Sequence, residues 1–138
     1  MKAPLLYHIA SVLLLLFAIG HTLGFRRVDP RWGVDSVMVS LRSIRFEVQG
    51  NSRAYWDFYV GFGLFVTVFL LFAALLAWQL GSLDPQTLGG MPMVTWGLVA
   101  CFAAVTFLSW RYFFMAPVIF SVVITLCLGL AAWAAARS

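Results

Sequence analysis

Charge is what this chain has least of. Only 10% of its 138 residues are Asp, Glu, Lys or Arg, while 63% are hydrophobic. That balance is far from the usage of a soluble domain. The nine bases outnumber the five acids, but most are arginines gathered in one segment, so a nucleic-acid partner is excluded as the explanation. Cysteine is nearly absent too. Cys101 and Cys127 each fall inside an apolar run, which rules out a disulfide framework and leaves them as small hydrophobic filler. With only two histidines, no Ser/His/Asp set, phosphate-cradling glycine loop, Cys-x-x-Cys or paired-carboxylate arrangement can be assembled, and no metal site is expected. Met91 and Met93 place two thioethers together, but without Cys or His nearby they read as apolar residues rather than a Cu(I) site.

Long apolar runs are what the chain has in place of charge. Residues 58–80 contain no charged residue. The stretch from Trp56 to Trp78 spans about 33 Å as a helix, the thickness of a bilayer's hydrocarbon layer. Tryptophans at both ends sit where interfacial anchors belong. The same argument predicts four spans, at 5–24, 57–80, 93–113 and 117–135, in one domain over residues 1–138. The fold class is therefore all-α, an integral membrane four-helix bundle. Met1 and Lys2 followed by an apolar run imitate a secretory signal, but the run is too long and lacks a small-x-small cleavage site, so it is read as a retained span.

Each span carries a stripe expected to face the other helices. These are His8, Ser11, Leu15, Ala18 and Thr22 in the first, and Tyr59, Gly63, Thr67, Leu70, Ala74 and Trp78 in the second. In the third they are Gly97, Cys101, Ala104, Leu108 and Arg111, and in the fourth Ser121, Thr125, Leu128 and Ala132. Polar groups are costly against lipid, which is the reason for turning these stripes inward. Gly20 and Gly24 form a GxxxG pair that would permit close helix approach.

Residues 25–54 are the one long polar connection. Arg26, Arg27, Arg31, Arg42, Arg45 and Arg53 stand there against Asp29, Asp35 and Glu47. Val34, Val37, Met38, Leu41, Ile44 and Val48 share one helical face, with Asp35 or Ser36 as cap and Gly50 as stop. An amphipathic interfacial helix is expected between spans one and two, its arginines reaching phosphates. The competing pattern is a strand, because residues 44–48 alternate cleanly, but a single strand has nothing to pair with. Counting Arg111, seven arginines lie on one side, against Lys2 and Arg137 on the other. The positive-inside bias then places the long loop in the cytoplasm and both termini outside.

This topology brings His21, Asp57, Tyr59, Arg111 and Tyr112 to similar depth, beneath the loop carrying Glu47 and Arg53. Arg111 needs a partner and Asp57 is the natural one, either as an interfacial ion pair or as part of a ligand pocket. In a catalytic reading His21 carries the proton, Asp57 orients it and Arg111 holds a polar head group. His8 and His21 lie about 20 Å apart along one helix. They cannot share a haem or pigment, and each offers at most one axial ligand, so no cofactor is expected.

The segment RAYWDFYVGFGL over residues 53–64 and the run WRYFFMAP over 110–117, with Phe120 and Ser121 after it, resemble the recurrent segments of a family of small, uncharacterised four-span bacterial membrane proteins carrying a YWDFYxGFG motif. His21 and Gly50 also match. The resemblance implies an inner-membrane, multi-pass protein and supplies no activity. Three functional readings stand: a noncatalytic protein that binds a lipid-like ligand or supports a membrane-protein or homo-oligomeric partner; a membrane-embedded enzyme of isomerase-like acid/base chemistry on a sterol, isoprenoid or quinone-like substrate; and a transporter or channel, which would have to oligomerise and lacks a charged relay.

Overall fold

The structure, a computed structural model, describes residues 3–137. Four helices are long and apolar enough to cross a membrane. They are α1 (Ala3–Gly24), α3 (Tyr55–Gly81), α5 (Pro92–Tyr112) and α6 (Met115–Ala135). Pro4, Pro92 and Pro117 all lie in first turns, where a missing N–H loses nothing and the fixed φ suits the helix. A short helix α4 (Pro85–Gly89) follows Asp84, whose carboxylate accepts from the Thr87 N–H and hydroxyl. Those two bonds hold Asp84 below the usual carboxylate range.

The polar connection differs from its expectation. Helix α2 (Asp35–Ser43) is only nine residues long and ends well short of Val48. Asp35 stands inside it rather than capping it, because Val34 is the residue before the first turn. The chain then forms an antiparallel hairpin, β1 (Arg45–Val48) and β2 (Asn51–Ala54). Gly50 does not stop a helix but shapes the turn. Gln49 and Gly50 have φ of 49° and 78°, the two positive values a type I′ two-residue hairpin needs. The strand that had nothing to pair with pairs with the next four residues of its own chain. Its alternation is then explained, since Phe46 packs at 4.9 Å from Tyr55 and 6.1 Å from Phe58.

Packing divides into two units. The larger contains α1 as far as Phe17 and the chain from Leu70 onward, so parts of all four long helices bundle within it. Its core is made of Leu6, Tyr7, Ala10 and Leu14 from α1, Leu70, Ala74 and Ala77 from α3, Phe102 from α5, and Ile124, Leu128 and Ala131 from α6. Alanines dominate α3 there, and such small side chains let helix backbones approach closely. The buried Ser11 hydroxyl donates to the Ala74 carbonyl at 2.8 Å. Thr106 and Thr125 hydroxyls meet at 3.1 Å between α5 and α6, and Phe17 stacks on Phe120 at 5.5 Å.

The predicted stripes fare unequally. That of α6 is inward, with Ser121, Leu128 and Ala132 buried and Thr125 half-buried. In α1, Ser11 and Ala18 are buried but Leu15 is exposed. In α3, Leu70 and Ala74 are buried, whereas Tyr59 and Trp78 are about half exposed (50% and 52%). The α5 stripe is reversed. Gly97, Cys101, Ala104, Leu108 and Arg111 all face outward, and the buried side is Thr95, Leu98, Phe102 and Ser109. Small residues are compatible with lipid contact as well as helix contact, so size alone did not identify that face. Gly20 and Gly24 likewise have nothing near a Cβ added at either position, so the GxxxG pair brings no helix close.

Among the described residues, one buried side-chain polar atom lacks a hydrogen-bond partner. The Tyr7 hydroxyl is fully buried without a hydrogen-bond partner, with the Thr95 side chain as its polar neighbour. Desolvating a hydroxyl without a replacement bond is unfavourable by about 1–3 kcal/mol. Tyr7→Phe should therefore leave the detergent-solubilised protein equally or more stable, and a clear fall in Tm would show that the hydroxyl is bonded after all.

Candidate functional site

The second unit, Ala18–Phe69, holds five of the seven predicted site residues. It comprises the last turns of α1, the polar connection and the first half of α3. His21 occupies the last turn of α1, and its Nε2 lies 2.9 Å from the Gly63 carbonyl oxygen on α3. A carbonyl only accepts, so Nε2 carries the hydrogen and donates it. One turn on, Phe25 stacks against the His21 ring at 5.1 Å and meets the Tyr59 ring at 6.0 Å. The Tyr59 hydroxyl donates to the Phe25 carbonyl, one of the acceptors a helix end leaves without an intrahelical partner. Beside them, Thr22 and Thr67 hydroxyls meet at 2.9 Å. Each also reaches the carbonyl one turn back on its own helix, Thr22 to Ala18 and Thr67 to Gly63.

Gly63 makes this approach possible. A Cβ there would stand 2.6 and 2.8 Å from Cδ2 and Cζ of Phe25. Only a hydrogen leaves room for the ring that covers His21.

Asp57 is engaged within its own unit. It sits in the first turn of α3, and its Oδ2 accepts from the Ala54 N–H at 2.9 Å. This is the reaching-back half of a capping box, and it puts a negative charge at the helix's positive end. Replacing Asp57 with Ala should lower stability by about 0.5–2 kcal/mol, whereas Asn, which keeps an acceptor, should retain most of it. Thermal melts of both variants in detergent check this. If Asp57 acted through an ion pair, Asn would be as damaging as Ala.

Glu47 and Arg53 are exposed on β1 and β2, in adjacent rungs opposite Ser52 and Phe46. Arg53 donates to the Ser52 carbonyl, and Arg45 to the Ser52 hydroxyl and carbonyl. Among the described residues the ion pair is Arg31 with Asp29. That guanidinium holds the Asp29 carboxyl below its ordinary range, helped by the Arg31 N–H. Two further arginines lie on rings, Arg42 at 4.4 Å over Trp56 and Arg26 at 5.4 Å over Phe25. Trp56 in turn stacks on Tyr59 at 5.3 Å. Arg111 and Tyr112 belong to the other unit, at the C-terminal end of α5, where both are exposed and the guanidinium lies 5.3 Å from the Tyr112 ring. His8, also in that unit, rests on Trp78 at 4.5 Å, with Nε2 3.5 Å from the Ser82 hydroxyl.

The aromatic cover of His21 was missed from sequence. Phe25 looks like one more apolar residue at a helix end, and nothing in its spacing marks it as a lid. Thr22 and Thr67 were legible as face residues but not as partners. Among the described residues, no group of three His, Cys, Asp or Glu could hold a metal ion. Compared with family models, with curated proteins and with solved structures, the chain matches none.

Proposed function

We propose that this chain is a noncatalytic multi-pass protein of the bacterial inner membrane that binds a lipid-like ligand or supports a membrane-protein partner. The observation that carries this reading is what the acid/base candidates of the second unit are bonded to. His21 donates to the Gly63 carbonyl, Tyr59 donates to the Phe25 carbonyl, and Asp57 accepts from the Ala54 N–H. All three serve the backbone. Each bond fastens one stretch of backbone to another, which accounts for the placement of all three side chains without a substrate. The motif-bearing segments 53–64 and 110–117 support the bacterial family assignment. The arginine bias supports a cytoplasmic loop over 25–54 with both termini outside. Lys2, which argues weakly for the reverse orientation, lies outside the described residues.

The test is to purify the protein in mild detergent and identify what co-purifies by native mass spectrometry and lipid extraction. A lipid-like molecule retained intact in a fixed ratio is the expected result. Conversion of added sterol, isoprenoid or quinone-like compounds to an isomer, abolished by His21→Ala, would overturn the noncatalytic reading in favour of the acid/base enzyme.

A further inference from the structure

Six arginines lie between the first two long helices, and among the described residues Arg31 is the one paired with a carboxylate. Arg45 and Arg53 are occupied by Ser52. Arg26 and Arg42 are held differently, each with its guanidinium carbon over a ring, 5.4 Å from the centre of Phe25 and 4.4 Å from that of Trp56. Both of these rings touch the same third ring, that of Tyr59, at 6.0 and 5.3 Å. The two guanidiniums thus sit on one continuous aromatic ridge, Phe25–Tyr59–Trp56. A ring attracts a guanidinium through its π face and does not take up the N–H donors as a carboxylate would. Two neighbouring guanidiniums that, among the described residues, make no carboxylate pair offer N–H donors suited to the oxygens of a phosphodiester. The same connection also exposes Trp32 before α2, Val37 within it and Ile44 just after it. Such residues enter the boundary between head groups and acyl chains, not open water.

From this arrangement we infer that the Arg26–Phe25–Tyr59–Trp56–Arg42 ridge is a binding site for the phosphate head group of an anionic phospholipid. The inference rests on the membrane reading proposed above and names the class of lipid. Charge complementarity selects the occupant. The segment from Phe25 to Ala54 carries six arginines against three acids, so a zwitterionic head group would leave its excess charge unanswered while an anionic one neutralises it. A basic segment placed beside a span on the cytoplasmic side is attracted by about a factor of five per arginine near an anionic surface.

The experiment places the full chain in nanodiscs made of equal parts phosphatidylglycerol and phosphatidylcholine and counts the lipids retained on release into the mass spectrometer. Phosphatidylglycerol should be retained preferentially. Arg42→Gln and Arg26→Gln should each weaken that preference by about fivefold, and added salt should weaken it further. Arg137→Gln, which removes the guanidinium lying on Trp133 at 3.8 Å, should leave it unchanged. Both ridge arginines are exposed, and unchanged thermal melts confirm that the variants remain folded. Equal retention of the two lipids by the unaltered protein overturns the inference, as does a preference that survives both substitutions. If a neutral lipid-like molecule is retained and phosphatidylglycerol is not, this site assignment fails while the proposed function stands.

Discussion

Replacing Gly81 with alanine should destabilise the protein more than any other single methyl group added to it. Gly81 is buried at the last turn of α3, and a Cβ there would stand 2.9 Å from the Pro4 carbonyl oxygen of α1 and 2.8 Å from Cδ2 of His8. The histidine ring could swing aside, but the carbonyl is backbone in the first turn of another helix and cannot yield without moving α1. Overpacking of this kind is unfavourable by about 1–3 kcal/mol, and rigid backbone puts this site at the upper end. The gain in helix propensity from Gly to Ala, about 1 kcal/mol in a helix interior, is smaller at a helix end. Thermal melting in detergent should therefore fall by several degrees. A Tm equal to that of the unaltered protein would mean that α1 and α3 are not in contact at this point. His8→Ala combined with Gly81→Ala should recover only the part of the loss that the ring causes.

The second large effect is expected at Gly63. There the obstacle is a side chain, the Phe25 ring, with Cδ2 and Cζ 2.6 and 2.8 Å from an added Cβ. The ring is held by its stack on His21 and its contact with Tyr59, so displacing it uncovers the histidine and weakens the bond from His21 Nε2 to the Gly63 carbonyl. A loss of about 1–3 kcal/mol is expected, partly offset by helix propensity. Removing the obstacle tests the cause directly. In a double-mutant cycle Phe25→Leu should rescue Gly63→Ala, because the two substitutions act through the same few ångströms. Additive losses would show that the glycine matters for some other reason. His21→Gln, which keeps a donor at the end of a side chain of comparable reach, should be milder than His21→Ala.

These two glycines show how differently sequence and structure bear on the molecule. Both occupy α3, and both look alike on a helical wheel. From the sequence Gly63 falls on an inward stripe, while Gly81 lies one residue past the expected 57–80 span. Only the packing distinguishes an obstacle made of movable ring from one made of backbone. Gly20 and Gly24, with the better-known spacing, meet nothing at all. The Ile44–Val48 pattern reads as alternation. It does not by itself predict a hairpin, because strand pairing is a property of two segments, and residues 51–54, rich in polar side chains, do not announce a second strand. The positive φ at Gln49 and Gly50 closes that hairpin and could not be inferred from Gln49, a residue that seldom adopts it.

By itself the sequence determined that four long apolar helices form, approximately where they begin and end, and that one arginine-rich connection separates the first two. Those properties follow from uncharged length and from where prolines and tryptophans fall, which are local and additive along the chain. Tertiary structure alone decided which side of α5 is buried, that the connection folds back as a hairpin, and that His21, Tyr59 and Asp57 serve the backbone. The physical reason is that hydrogen-bond partners and helix faces are fixed by which atoms come within about 3 Å. In a chain this uniformly apolar, almost every face of every helix is chemically fit to be buried.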